Sequence, residues 1–159
     1  MLGARRCDRR ERGVTLIEMV ITIMVLLILA SVTVPNARFA IKRQKELELR
    51  RDLRDMRHAI DEYKKLCDSG LIPKEGVDSE CYPDDLDILV EGVDKVGTVG
   101  QKVKFLRRIP FDPFMKTKEW GKRSLQDEAD SSSWGELNVF DVYTEYEGTA
   151  LDGTEYKDW

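Results

Sequence analysis

Gly13-Val14-Thr15-Leu16-Ile17-Glu18 opens an apolar run that extends to Pro35. From Val14 to Val34 there are 21 residues, and Glu18 is the single charge among them. A helix of that length spans about 30 Å of hydrocarbon. A carboxylate inside it costs on the order of 2.5–3.5 kcal/mol on insertion scales, so it is expected to have a partner and a task. A secretory signal has a shorter apolar region, about 7–15 residues, and a small-x-small cleavage site. Ala30-Ser31-Val32 is a poor version of that site. A plain signal-anchor helix is the competing reading, and it gives Gly13 and Glu18 no role.

Upstream, Met1–Gly13 holds five arginines against Asp8 and Glu11, a net charge of +3. The whole chain carries −4, so the rest carries −7. A basic stretch before an apolar run predicts that residues 1–13 stay cytoplasmic while the remainder crosses the membrane or is exported. The acidic remainder argues against a nucleic-acid partner. Downstream, the polar composition can build only a modest core, one that needs a helix or neighbours to dock on.

The apolar residues after Pro35 fall into a narrow stripe. Leu49, Leu53, Met56, Ile60, Tyr63 and Cys67 are spaced by four, three, four, three and four. That period predicts one long helix from Thr15 to about Leu66, kinked or loosened near Pro35. Asp68-Ser69-Gly70 ends it with turn chemistry. Asp84 or Asp85 caps a short helix from Leu86 to about Glu91. Lys118–Trp120 and Trp134–Tyr143 are the strand candidates, with an exposed loop over Asp127–Ser133. Tyr146, Leu151, Tyr156 and Trp159 are expected to anchor the acidic segment from Thr144 onward. The resulting divisions are 1–13, 14–35, 36–67 and 68–159.

Cys67 and Cys81 lie in the exported part, 14 positions apart. In an oxidising compartment they are candidates for a disulfide that closes a loop worth about 3 kcal/mol; two free thiols are the alternative. Zinc is not expected, because His58 is the only histidine and no Cys-x-x-Cys spacing occurs. No catalytic set is visible. Ser131-Ser132-Ser133 has no second histidine for a triad, and Gly97-Thr98-Val99-Gly100-Gln101-Lys102 has the wrong spacing for a phosphate loop. The Lys42–Arg57 segment alternates acids with bases, as a solvated helix face does. The chain therefore reads as a non-enzyme.

Gly13 followed by Thr15-Leu16-Ile17-Glu18, behind a short arginine-rich leader and ahead of about twenty apolar residues, resembles the class III signal of type IV pilins and type II secretion pseudopilins. Val14 stands where the family usually has Phe. Pro35 falls at the family's helix-loosening proline. Cys81-Tyr82-Pro83-Asp84-Asp85-Leu86-Asp87-Ile88-Leu89-Val90 is similar to the Tyr-Pro segment and short helix of the major (G-type) pseudopilins of type II secretion. Ile109-Pro110-Phe111-Asp112-Pro113-Phe114 looks like their Pro-x-Asp-Pro-Trp turn, with Phe114 for Trp, and Val139–Tyr143 resembles their last strand.

The resemblance implies an α+β, type IV pilin-like fold: a long N-terminal helix, half transmembrane and half amphipathic, packed on a small head with a short antiparallel sheet. It implies removal of residues 1–13 by a prepilin peptidase after Gly13 and N-methylation of Val14. It also implies pairing of Glu18 with the Val14 amine of a neighbouring subunit, against the competing reading in which Glu18 snorkels to the headgroups. The usual major pseudopilin binds calcium in its C-terminal loop. Here Asp141, Glu145, Glu147, Asp152 and Asp158 are the candidate ligands, without the family's spacing, and a solvated acidic loop pinned by aromatics is the alternative.

Three functional readings follow. The first is a major pseudopilin, anchored by a single pass in the inner membrane with its head in the periplasm. It polymerises with itself into a secretion pseudopilus and works with an assembly platform and minor pseudopilins. The second is a type IV pilin of a surface pilus for adhesion, motility or DNA uptake. The third is a single-pass periplasmic enzyme or binding protein with an uncleaved anchor.

Overall fold

The computed structural model describes residues 13–159 apart from 75, 77, 78, 98 and 99, and gives the backbone alone for 32–35. The expected leader thus lies outside the described residues up to position 12. The elements are α1 (Leu16–Asp68), α2 (Leu86–Glu91), β1 (Val93–Asp94), β2 (Lys102–Val103), β3 (Gly121–Arg123), β4 (Asp141–Tyr143) and a one-turn 3-10 helix, Tyr156–Asp158. The chain divides into two compact units, Met1–Ile41 and Lys42–Trp159, with the boundary inside α1.

In the second unit the apolar stripe of α1 is the buried face. Leu49, Leu53, Met56, Ile60, Tyr63 and Cys67 are all inaccessible to water or nearly so. They pack in one cluster with Leu86, Leu89, Val93, Trp120, Val139, Val142 and Tyr156. A side chain the size of Leu or Ile contributes about 1.5–3 kcal/mol when fully buried, so this one stripe is a major source of head stability. Asp85 caps α2 through its side chain, which accepts the Leu86 N–H, and Gly92 ends the helix at φ 81°. A Cβ at Gly92 would also stand 2.7 Å from the Val103 carbonyl, so glycine is required there twice over.

The sheet differs from the single one expected. Two separate antiparallel ladders form, β1 with β2 (Val93↔Val103) and β3 with β4 (Gly121↔Tyr143, Arg123↔Asp141). The β1–β2 pair falls in a Gly- and Val-rich stretch where no strand is predicted. Two-residue strands are too short to show alternation. The Lys118–Trp120 strand candidate is displaced to Gly121–Arg123. Gly121 allows this, because a Cβ there would lie 2.3 Å from the Tyr143 ring. Of Trp134–Tyr143 only the last three residues are strand. The earlier part folds around buried Asn138, whose side chain accepts the Leu125 N–H and whose carbonyl accepts the Trp134 indole N–H.

Candidate functional site

Thr15 stands immediately before α1, and its Oγ1 accepts the backbone N–H of Glu18 at 3.3 Å. A Thr at the N-cap bonded to the N–H three residues on, with Glu at that third position, supplies the threonine half of a capping box. The Thr-Leu-Ile-Glu letters therefore start the helix and also set a carboxylate in its first turn, where the macrodipole favours negative charge. Gly13 and Val14 lie outside the helix and are exposed. Among the described residues, a Cβ on Gly13 would meet nothing within 4 Å.

Through its first half the helix exposes its apolar side chains, from Leu16 at 83% to Leu29 at 60%. An 18-residue window of α1 has mean hydropathy 2.6, long and apolar enough to cross a membrane. Thr22 and Ser31 turn their hydroxyls back onto the Met19 and Ile28 carbonyls at 2.8 and 2.7 Å, which satisfies both donors within the helix. Pro35 lies within α1. It has no N–H to return to the carbonyl four residues earlier, the chemical basis for a weak point there.

In the head, a disulfide joins Cys67 at the end of α1 to Cys81, with Cα atoms 5.5 Å apart. The following Tyr82-Pro83 is buried, and the Pro83 carbonyl accepts the Val139 N–H at 2.7 Å. Burial raises the Tyr82 phenol pKa, against the lowering influence of Lys64. The Pro110–Pro113 turn is built around Asp112, which is 1% exposed. One Asp112 oxygen accepts the N–H groups of Phe114 and Met115 at 2.6 and 3.0 Å, and the other accepts the Thr144 hydroxyl. The two segments that carried the resemblance are thus structural corners that position β4 and the loop after it.

The five candidate calcium ligands are not brought together. Asp141 is held by Arg57 at 2.6 Å and faces Arg123 at 3.7 Å. Asp152 accepts from Arg50 at 2.7 Å and from both the hydroxyl and the N–H of Thr154, bonds that lower its pKa. Glu145, Glu147 and Asp158 are exposed. Calcium takes six to eight oxygens about one point. Among the described residues no group of three or more His, Cys, Asp or Glu is placed to hold a metal ion. Arginines occupy two of the five candidate carboxylates, Asp141 and Asp152.

The loop itself is ordered by an aromatic stack. Phe114 lies 4.9 Å from Tyr146 and 4.6 Å from Tyr156, and Tyr156 meets Trp159 edge-on at 5.0 Å. Leu151, expected as an anchor, is exposed. Its backbone N–H does the anchoring instead, donated to Glu46 of α1 at 2.8 Å. Sequence reasoning passed over Glu46, yet a signal exists. Stepping the apolar stripe back three positions from Leu49 lands on it, so a carboxylate stands where the buried face continues.

An open groove of about 650 Å³ runs between α1 (Glu48, Asp52, Asp55, His58) and the Phe105–Phe111 segment. Partial burial, with Glu48 and Asp55 alongside, pushes the Asp52 pKa up to about 6. His58 is exposed beside it.

Residues 8–34 match the family of the prokaryotic N-terminal methylation motif. No curated protein and no solved structure matches the chain. The match spans the N-terminal segment alone, and it supports a type IV pilin-like, prepilin-type protein. Proteins with this motif are structural rather than enzymatic, and the motif implies processing by prepilin peptidase and pilus-like polymerisation. Together with the apolar helix it indicates membrane anchoring with an extracellular or periplasmic head. The long N-terminal helix and small antiparallel ladders give an α+β, type IV pilin-like fold.

Proposed function

We propose that the chain is a structural subunit, a major pseudopilin, that polymerises into the periplasmic pseudopilus of a type II protein secretion system. The observation that carries this reading is the methylation motif at 8–34, set on a capped and fully exposed apolar helix. The Tyr82-Pro83 and Asp112-Pro113 segments favour the secretion subunit over a surface pilin, because both resemble that subunit's corners. The chain is a substrate in its own maturation. Prepilin peptidase hydrolyses the bond after Gly13, and the amine of Val14, once methylated, remains cationic.

That amine then meets Glu18 of a neighbouring subunit. An unpaired charge in the fibre interior costs several kcal/mol, and pairing offsets much of that. A subunit at the wrong axial position leaves two charges unmatched, so the pair also sets register. Anchored in the inner membrane before assembly, the subunit is drawn into the fibre by an assembly platform, with minor pseudopilins at its end.

Deleting the gene tests the reading. The account expects proteins normally found in the medium to accumulate in the periplasm, with rescue by the wild type and not by Glu18→Ala. Loss of surface pili with secretion intact would transfer the subunit to a pilus. Full rescue by Glu18→Ala would end the pairing argument.

A further inference from the structure

Lys42, Glu46 and Arg50 stand at successive turns of α1 and all grip the 149–159 segment. Lys42 donates to the Thr149 carbonyl at 2.6 Å, and Arg50 donates to Asp152 at 2.7 Å while lying 3.9 Å from the Trp159 ring. Glu46 is the centre of the grip. It is 9% exposed, and one of its oxygens accepts both the Leu151 N–H and the Tyr156 hydroxyl, each at 2.8 Å. One donor lies inside the Ala150–Thr154 turn and the other just after it, and the Ala150 N–H closes that turn onto the Thr154 carbonyl at 2.8 Å. Burial and the adjacent Glu46 carboxylate both raise the Tyr156 pKa. The phenol therefore stays protonated, and a donor, throughout the physiological range.

A cation bridging loop carboxylates would do a similar job: it would tie distant parts of an irregular segment to a point. Here the negative charge that ties the loop comes from α1, and its partners are an N–H and an O–H. Two of the five candidate carboxylates, Asp141 and Asp152, are turned to arginines of α1 and β3 instead. We propose that Glu46 closes the 144–159 loop in place of a divalent cation, so that the head's order is independent of calcium.

The test uses the full chain in detergent micelles, with hydrogen exchange followed by mass spectrometry on peptides covering 144–159. Wild type, Glu46→Ala and Glu46→Gln are compared in a chelator and in calcium at about 5 mM, above the range of weak extracellular sites. Wild-type exchange should be the same in both solutions. Glu46→Ala should speed exchange in this loop about tenfold, the size expected for losing hydrogen bonds to a charged acceptor. Glu46→Gln keeps an acceptor oxygen and should show a smaller increase confined to the same peptides, which covers the case in which the alanine variant fails to fold. Protection that appears only with calcium, or loop exchange untouched by both variants, would overturn the proposal. Because the readout needs no fibre, it is separate from any failure of the secretion reading.

Discussion

Breaking the Cys67–Cys81 bridge should cost the head about 3 kcal/mol. The two cysteines are separated by 14 positions, and closing a loop of about 15 residues in the unfolded chain removes roughly 10 cal/mol/K, or about 3 kcal/mol at 25 °C. Glu80 and Cys81 both sit at positive φ, 51° and 65°, where non-glycine residues cost on the order of 1 kcal/mol each. Relief of that strain would shrink the loss if the turn were held by the bridge alone. It is not: Lys64 donates to the Glu80 carbonyl at 3.0 Å and the Tyr82 N–H to the Ser79 carbonyl at 2.9 Å. The left-handed pair therefore persists and the full loss is expected. For a unit the size of Lys42–Trp159, each kcal/mol moves the melting point about 4 °C, so the shift is about 12 °C. The assay is thermal melting of the full chain in micelles, comparing oxidised protein, thiol-reduced protein and a Cys67→Ala/Cys81→Ala double variant. A drop below about 3 °C in both perturbed samples would refute the chain-entropy reasoning.

Other consequences follow from single carboxylates. The native Asp52 carboxyl keeps its proton to about pH 6, while the unfolded one loses it near pH 3.8. The native state therefore binds more protons between those values, and stability falls as pH rises through them. Asp52→Asn should stabilise the head at pH 7 by about 1 kcal/mol, allowing for solvent screening of a half-exposed group, and by nothing below pH 4, as read from urea midpoints across that range. Asp112→Ala should destabilise by about 3 kcal/mol, because two backbone N–H groups and a buried hydroxyl lose their acceptor. Asp112→Asn should lose less, with Trp120 fluorescence reporting the transition, since the Trp120 indole donates to Pro110 of the same turn.

The parts legible in the sequence were those with a period or a cap. The stripe from Leu49 to Cys67 gave α1 its buried face. Asp84 or Asp85 marked the start of α2, and the structure selects Asp85; the Thr15–Glu18 cap of α1 was a sequence signal left unread. What stayed hidden depends on contacts across long separations. Whether Asp141 and Asp152 face solvent, a metal or arginines is decided by Arg57, Arg50 and Arg123. Two of these lie on α1, where in sequence they look like part of a solvated, mixed-charge face. Glu46 was hidden for the same reason, since its partners are 105 and 110 positions away. The β1–β2 ladder escaped because glycine turns at 92, 97 and 100, each with positive φ, fold it locally without any alternation to read.

Mass spectrometry of the N-terminus of the chain purified from its membrane tests the central claim most directly. The account predicts a polypeptide that begins at Val14 and carries one added methyl group. A chain in which residues 1–13 are still joined to Val14 would contradict it.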